Sequence, residues 1–207
     1  MPSFTRNWLA RMGVQSLPAP FGRLDVATLA LWALTLAAWV AGLPEAVLGP
    51  LFLAAGFLHA ARLVRWQGHR TFAEPLVTVL HAGYAWLPVG AILYGLALRG
   101  IGLPPSDALH ALTAGAIGTM TLAVMTRASL GHTGRELTAD ATTVVIYLMV
   151  VTGTMLRLLA PLTGDPLSWM ALAGAFWGGA YMLFFVHYAP MLAAPRVDAA
   201  AGAVGRG

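Results

Sequence analysis

The sequence contains no cysteine and no lysine, and it has few charged residues of any kind. Without cysteine, a disulfide, an iron–sulfur cluster, a zinc ribbon or a thiolate copper site is excluded. Any metal would need histidine, methionine, carboxylate or backbone ligands. Charged residues make up 10% of the 207 residues, whereas 58% are hydrophobic and the mean hydropathy is +0.74. This composition indicates an integral membrane protein and disfavours nucleic-acid binding.

Catalytic signatures are also missing. The sequence has no Gly-rich phosphate loop, no HExxH zinc helix, no nucleophile elbow and no intramembrane carboxylate pair. It therefore assigns no reaction and no catalytic residue. A signal peptide is not expected either, because the first apolar run begins only after Arg23 and lacks a small-residue cleavage site.

Six stretches are long and apolar enough to cross a bilayer, which takes about 20 residues of helix. These predicted spans are residues 26–44, 46–66, 75–98, 108–126, 141–156 and 166–195. The prediction is an all-α, polytopic transmembrane bundle of six spans. Its membrane domain would cover residues 24–195, preceded by a cytoplasmic segment at 1–23 and followed by a disordered tail at 196–207.

The arginines predict the orientation of these spans. With the N-terminus in the cytoplasm, only Arg99 and Arg157 lie on the outer side. The ten arginines that lie inside are Arg6, Arg11, Arg23, Arg62, Arg65, Arg70, Arg127, Arg135, Arg196 and Arg206. The positive-inside rule therefore places both termini in the cytoplasm.

The segment before the first span has two interpretations. Phe4, Trp8 and Met12 recur at four-residue spacing, as in a helix that lies on the inner leaflet. Alternatively, the segment is frayed and its arginines serve only to set the topology.

Small residues recur at four-residue spacing in the fourth and sixth spans. Such patterns let helix backbones approach closely, so we expect close packing there and a candidate face for self-association. The residues are Ala111, Ala114, Gly115, Gly118, Ala171, Gly174, Ala175, Gly178 and Gly179.

Two of the six histidines are predicted to lie at the same membrane depth. His59 is seven residues before Trp66 and His81 is seven residues after Glu74, which places each about 10 Å from the cytoplasmic end. Ionisable residues at such depth point to function. Two imidazoles on adjacent antiparallel helices permit bis-histidine haem ligation, although each could also be a satisfied core residue.

Other polar residues near that end could complete the site. Arg62, Arg65 and Arg70 could bind haem propionates, although setting the topology also explains them. His132 and His187 lie near the same end, and His69 is expected to be solvated. His110 lies near the outer end and could bind a metal only with ligands from other helices.

Three stretches resemble the NnrS family of bacterial membrane proteins. The longest is residues 110–135, HALTAGAIGTMTLAVMTRASLGHTGR; the others are 62–70, RLVRWQGHR, and 80–90, LHAGYAWLPVG. The resemblance implies a haem- and copper-containing inner-membrane protein of nitric oxide metabolism and nitrosative stress resistance, often in denitrifying bacteria. His81, His110 and His132 fall within the matching stretches and are implied as metal or haem ligands. Arg127 and Arg135 are implied as propionate or anion partners.

The chain resembles only the C-terminal half of longer family members. We therefore expect b-type haem before copper, and a homodimer or a partner membrane subunit that completes the assembly. Two other functions stay open. One is a cofactor-free transporter or assembly subunit with a cavity lined by histidine and arginine. The other is a b-type cytochrome-like electron carrier that has no nitric oxide role.

Overall fold

The computed structural model describes residues 2–197, which form helices joined by short turns and include no strand. Met1 and residues 198–207, among them Arg206 and most of the predicted tail, lie outside the described residues. Six helices are long and apolar enough to cross a membrane, so the prediction of an all-helical, multi-span protein is confirmed. They span Arg23–Val40, Glu45–Val64, Pro75–Ala97, Pro105–His132, Ala141–Leu159 and Pro166–Ala193.

The first and fourth spans differ from their predicted bounds. The first ends at Val40 because Gly42 takes a left-handed conformation (φ +71°), and the amide of Leu43 then donates to the carbonyl of Ala38 over 3.1 Å. The fourth continues past Arg127 to His132. A charged residue does not end a helix, and the Arg127 guanidinium lies 4.6 Å above the ring of Phe4.

Glycines bring neighbouring spans into close contact. A Cβ added at Gly56 in the second span would lie 2.7 Å from a side-chain carbon of Ile92 in the third. A Cβ at Gly153 in the fifth span would lie 2.8 Å from the backbone nitrogen of Trp177 in the sixth. Consecutive spans are therefore packed as antiparallel neighbours, and the two ends of the described chain lie at the same face.

The middle of the fourth span is a π-helix, Ala111–Gly118. Two of its glycines lie against tryptophans. A Cβ at Gly115 would lie 2.7 Å from the Trp86 ring, and one at Gly118 would lie 2.8 Å from Nε1 of Trp177. The expected close packing at small residues is confirmed for this span. In the sixth span, added Cβ atoms at Gly174 and Gly178 would meet nothing within 4 Å. Self-association through that stripe stays a prediction.

The N-terminal segment forms a helix, Pro2–Arg11. Thr5 and Leu9 are each only 1% exposed, whereas Phe4 is 42% and Met12 61% exposed. The helix thus packs on the bundle through a face different from the one that the Phe4 and Met12 spacing predicted to contact lipid.

We expect Gly115→Ala to destabilise the protein relative to Gly178→Ala. Both changes gain helix propensity, but only the first forces a Cβ against the Trp86 ring, at a cost of about 1–3 kcal/mol. Thermal unfolding of the detergent-solubilised protein measures the difference. A Gly115→Ala variant at least as stable as Gly178→Ala would contradict this packing.

Candidate functional site

A buried ion pair joins the first and second spans at the face where most arginines lie. The Arg62 Nε donates to Oδ1 of Asp25 over 2.7 Å, and the two side chains are 10% and 3% exposed. The other carboxylate oxygen accepts from the amide of Gly22 over 2.9 Å and lies 3.5 Å from Arg65. The buried charges of Asp25 and Arg62 are therefore paired with each other and hydrogen-bonded, which offsets the cost of removing them from water.

Tyr84 in the third span connects this ion pair to the first histidine. Its hydroxyl accepts from the Arg62 guanidinium over 2.9 Å and lies 2.6 Å from Nδ1 of His59. His59 is 1% exposed, and its Nε2 is buried without a hydrogen-bond partner among the described residues. When Nδ1–H donates to Tyr84, Nε2 carries a free lone pair.

The second histidine is held by the N-terminal helix. Nε2 of His81 lies 2.7 Å from the hydroxyl of Thr5, and its Nδ1 is buried without a partner among residues 2–197. Gly68 closes the other side, because a Cβ there would lie 2.6 Å from the imidazole ring. Each of the two histidines thus has one ring nitrogen engaged and the other one buried and unpaired.

A series of ring contacts connects the two imidazoles. The centroid distances are 5.7 Å from His59 to Tyr84, 4.5 Å from Tyr84 to Trp66 and 6.3 Å from Trp66 to His81. The Arg62 guanidinium lies 4.9 Å from the Trp66 ring, a cation–π contact. We call these residues the histidine cluster: Asp25, His59, Arg62, Trp66, His81 and Tyr84.

Other predicted site residues lie at the same face but outside the cluster. His132 is exposed at the end of the fourth span. Arg127 stacks on Phe4, and Arg135 has one buried guanidinium nitrogen without a partner in the described chain.

His187 forms an ion pair with Asp140 at this face, with Nε2 and Oδ2 2.8 Å apart. Asp140 also caps the fifth span by accepting from the amide of Thr143 over 2.8 Å. Burial alone would raise the pKa of the Asp140 carboxyl, but the hydrogen bonds from Thr143 and the nearby His187 hold that pKa below its usual value.

His110 lies at the opposite face. Its Nδ1 donates to the carbonyl of Ser106 over 2.9 Å, next to an ion pair in which Arg157 donates to Asp107 over 2.8 Å. The structure therefore brings His59, His81, Arg62 and Arg65 near one another, but it does not bring His110 or His132 to them.

The unpaired ring nitrogens of the two histidines could serve as haem ligands. Within residues 2–197, no three histidine or acidic side chains are grouped closely enough to hold a metal ion. Haem needs only axial ligands from the protein. The unpaired Nε2 of His59 and Nδ1 of His81 can each ligate iron, and each ring has a hydrogen-bonded second nitrogen, as metal-binding histidines usually do. Gly68 lies against Nδ1 of His81, and the Tyr84 and Trp66 rings lie between the two imidazoles, so ligation of one haem by both histidines requires these groups to move.

Sequence reasoning missed three contributors. Asp25 stands at the beginning of the first span, where a helix cap is a sufficient explanation for it. Its place at the same depth as Arg62 on the adjacent antiparallel span was the signal of a pair. Thr5 and Trp66 carried no signal, since their contacts depend on how the N-terminal helix docks and on how the second span ends.

We expect Asp25→Asn to destabilise the protein by about 3–5 kcal/mol, because it leaves the buried Arg62 guanidinium without a counter-charge. Arg62→Gln should destabilise it less, because Arg65 still lies 3.5 Å from the Asp25 carboxylate. The double variant should lose less than the sum of the single losses. The half-buried Asp107 and Arg157 pair provides the matched control, with a smaller coupling. Denaturation in detergent measures all four members of each cycle, and additive losses at Asp25 and Arg62 would argue against direct pairing.

Comparisons with known proteins are consistent with this geometry. Neither the curated proteins nor the solved structures give a match. The family model described as NnrS protein matches residues 1–196, almost the whole chain. The protein, with its six apolar helices, therefore belongs to the NnrS family of membrane proteins.

Proposed function

We propose that this chain is a haem-binding membrane protein of the nitric oxide response, with His59 and His81 as its haem ligands. The observation that carries the proposal is the pair of buried, unpaired ring nitrogens, Nε2 of His59 and Nδ1 of His81. A buried polar nitrogen without a partner is costly unless something binds it. Membership of the NnrS family supports the nitric oxide role.

The chain's own residues would orient the two imidazoles. Tyr84 holds His59 through Nδ1, and Thr5 holds His81 through Nε2. Such hydrogen bonds fix the ring orientation and the tautomer of a ligating histidine. When bound, haem would supply an iron that can take a diatomic ligand such as nitric oxide in place of one of the two histidines.

The arginines at this face differ in what they can still bind. Asp25 and Tyr84 already engage Arg62, whereas the Arg65 side chain is 34% exposed. Arg135 has an unpaired guanidinium nitrogen in the described chain. We therefore assign the haem propionates to Arg65 and Arg135 first, with Arg62 and Arg127 completing the positive field.

Copper is a weaker proposal for a single chain. No three histidine or acidic side chains are grouped among residues 2–197, so a copper site at His110 or His132 would need methionine ligands or ligands from a second copy or a partner subunit.

We further propose that the histidine cluster lies at the cytoplasmic side of a bacterial inner membrane. Of the eleven described arginines, only Arg99 and Arg157 lie at the opposite face. The positive-inside rule supports this orientation, with both termini cytoplasmic.

Absorption spectra of the purified protein test the haem proposal. We expect a Soret band with near-stoichiometric iron in the wild type, and its loss in His59→Ala and His81→Ala. His187→Gln is the matched control: it lies at the same face, and its amide can still donate to Asp140. Nitric oxide should shift the spectrum of the reduced protein.

Three results would overturn parts of this proposal. A colourless protein after expression with ample haem would favour the cofactor-free transporter or assembly subunit. Full haem retention in both alanine variants would exclude these ligands. A reducible haem that is inert to nitric oxide would favour the electron carrier.

A further inference from the structure

A cavity opens at the face opposite the histidine cluster, between the fourth, fifth and sixth spans. Its volume is about 430 Å³, in the range of small-molecule sites. His110, Thr113 and Arg157 supply its polar lining, and Gly174 and Trp177 belong to its apolar lining. Nothing in the haem proposal uses this cavity.

The two ionisable residues of the cavity leave one acceptor and one donor free. The carbonyl of Ser106 can only accept, so Nδ1 of His110 carries the hydrogen and a neutral ring leaves a lone pair on Nε2. Nη2 of Arg157 donates to Oδ1 of Asp107 over 2.8 Å. Nη1 of Arg157 is buried without a hydrogen-bond partner in the described chain. Because Asp107 compensates its charge, Arg157 offers a hydrogen-bond donor more than a net positive charge.

The apolar lining is flat and fixed. The Trp177 indole donates from Nε1 to the carbonyl of Ala114 over 3.1 Å, which holds its ring in place. Gly153 brings the fifth and sixth spans together beneath the cavity, since a Cβ there would lie 2.8 Å from the Trp177 nitrogen. Gly174 is exposed and open, so the cavity communicates with the lipid-facing side of the sixth span.

We propose that this cavity binds the head group of a quinol, a hydroxylated aromatic ring with an apolar tail. One quinol hydroxyl donates to Nε2 of His110, and the oxygen across the ring accepts from Arg157. The flat head group matches the indole and glycine lining, and the tail leaves past Gly174 into lipid. A phospholipid headgroup fits less well, because its phosphate would meet an arginine already compensated by Asp107.

Binding of decylubiquinol to the purified protein under anaerobic conditions tests the proposal, whatever the haem content. Gly174→Leu should weaken binding by about tenfold or more, because the side chain obstructs the cavity mouth. Gly178→Leu is the matched control: it lies one turn further on the same helix, has equally open space and does not line the cavity. We expect it to bind as the wild type does.

A second variant tests the polar recognition. The wild type should bind the quinol more tightly than the corresponding quinone, which has no hydroxyl to donate to His110. His110→Phe should weaken quinol binding by about fivefold, the effect of one lost hydrogen bond, and remove this preference. Unchanged binding in Gly174→Leu would overturn the proposal. Complete displacement by phosphatidylglycerol would instead assign the cavity to lipid.

Discussion

The Arg62 guanidinium is buried between helices and must therefore be neutralised and hydrogen-bonded, and the arrangement of three spans depends on this constraint. Arg62 lies in the second span and donates hydrogen bonds to Asp25 in the first span and to Tyr84 in the third. The same Tyr84 hydroxyl contacts His59, and the Trp66 ring beneath Arg62 contacts His81. Both imidazoles therefore contact side chains that also pair with or pack on the buried Arg62 charge.

The third to sixth spans pack against one another through apolar side chains. Apolar side chains from the third to the sixth span make one core cluster, in which Leu122, Ile146 and Val150 are fully buried. The π-helix of the fourth span widens the backbone where Trp86 and Trp177 enter. Among the described residues, the charged and histidine side chains thus lie toward the two ends of the bundle, with this apolar cluster between them.

Local patterns predicted the spans, because long charge-free runs have few alternatives in a chain this apolar. Counting residues from the span ends also predicted that His59 and His81 share a depth, but the contacts of the two rings differ. His59 lies against Tyr84, whereas His81, about one turn earlier in the third span, lies against Trp66 and Gly68. Partners far apart in the chain were not predictable in the same way. Thr5 and His81 are separated by 76 residues, and neither residue indicates the other. Asp25 has a sufficient local explanation as a cap, which concealed its pairing with Arg62. The π-helix has no local signal, since it arises from tryptophan packing across spans.

The contact between Thr5 and His81 sets an order of events during synthesis. Thr5 leaves the ribosome long before His81, so the N-terminal helix cannot dock until the third span has been inserted. Until then, Thr5 and Leu9 remain without their buried surroundings. Docking of the N-terminal helix over His81 therefore cannot precede insertion of the third span, and the buried surroundings of this imidazole are completed only after that insertion.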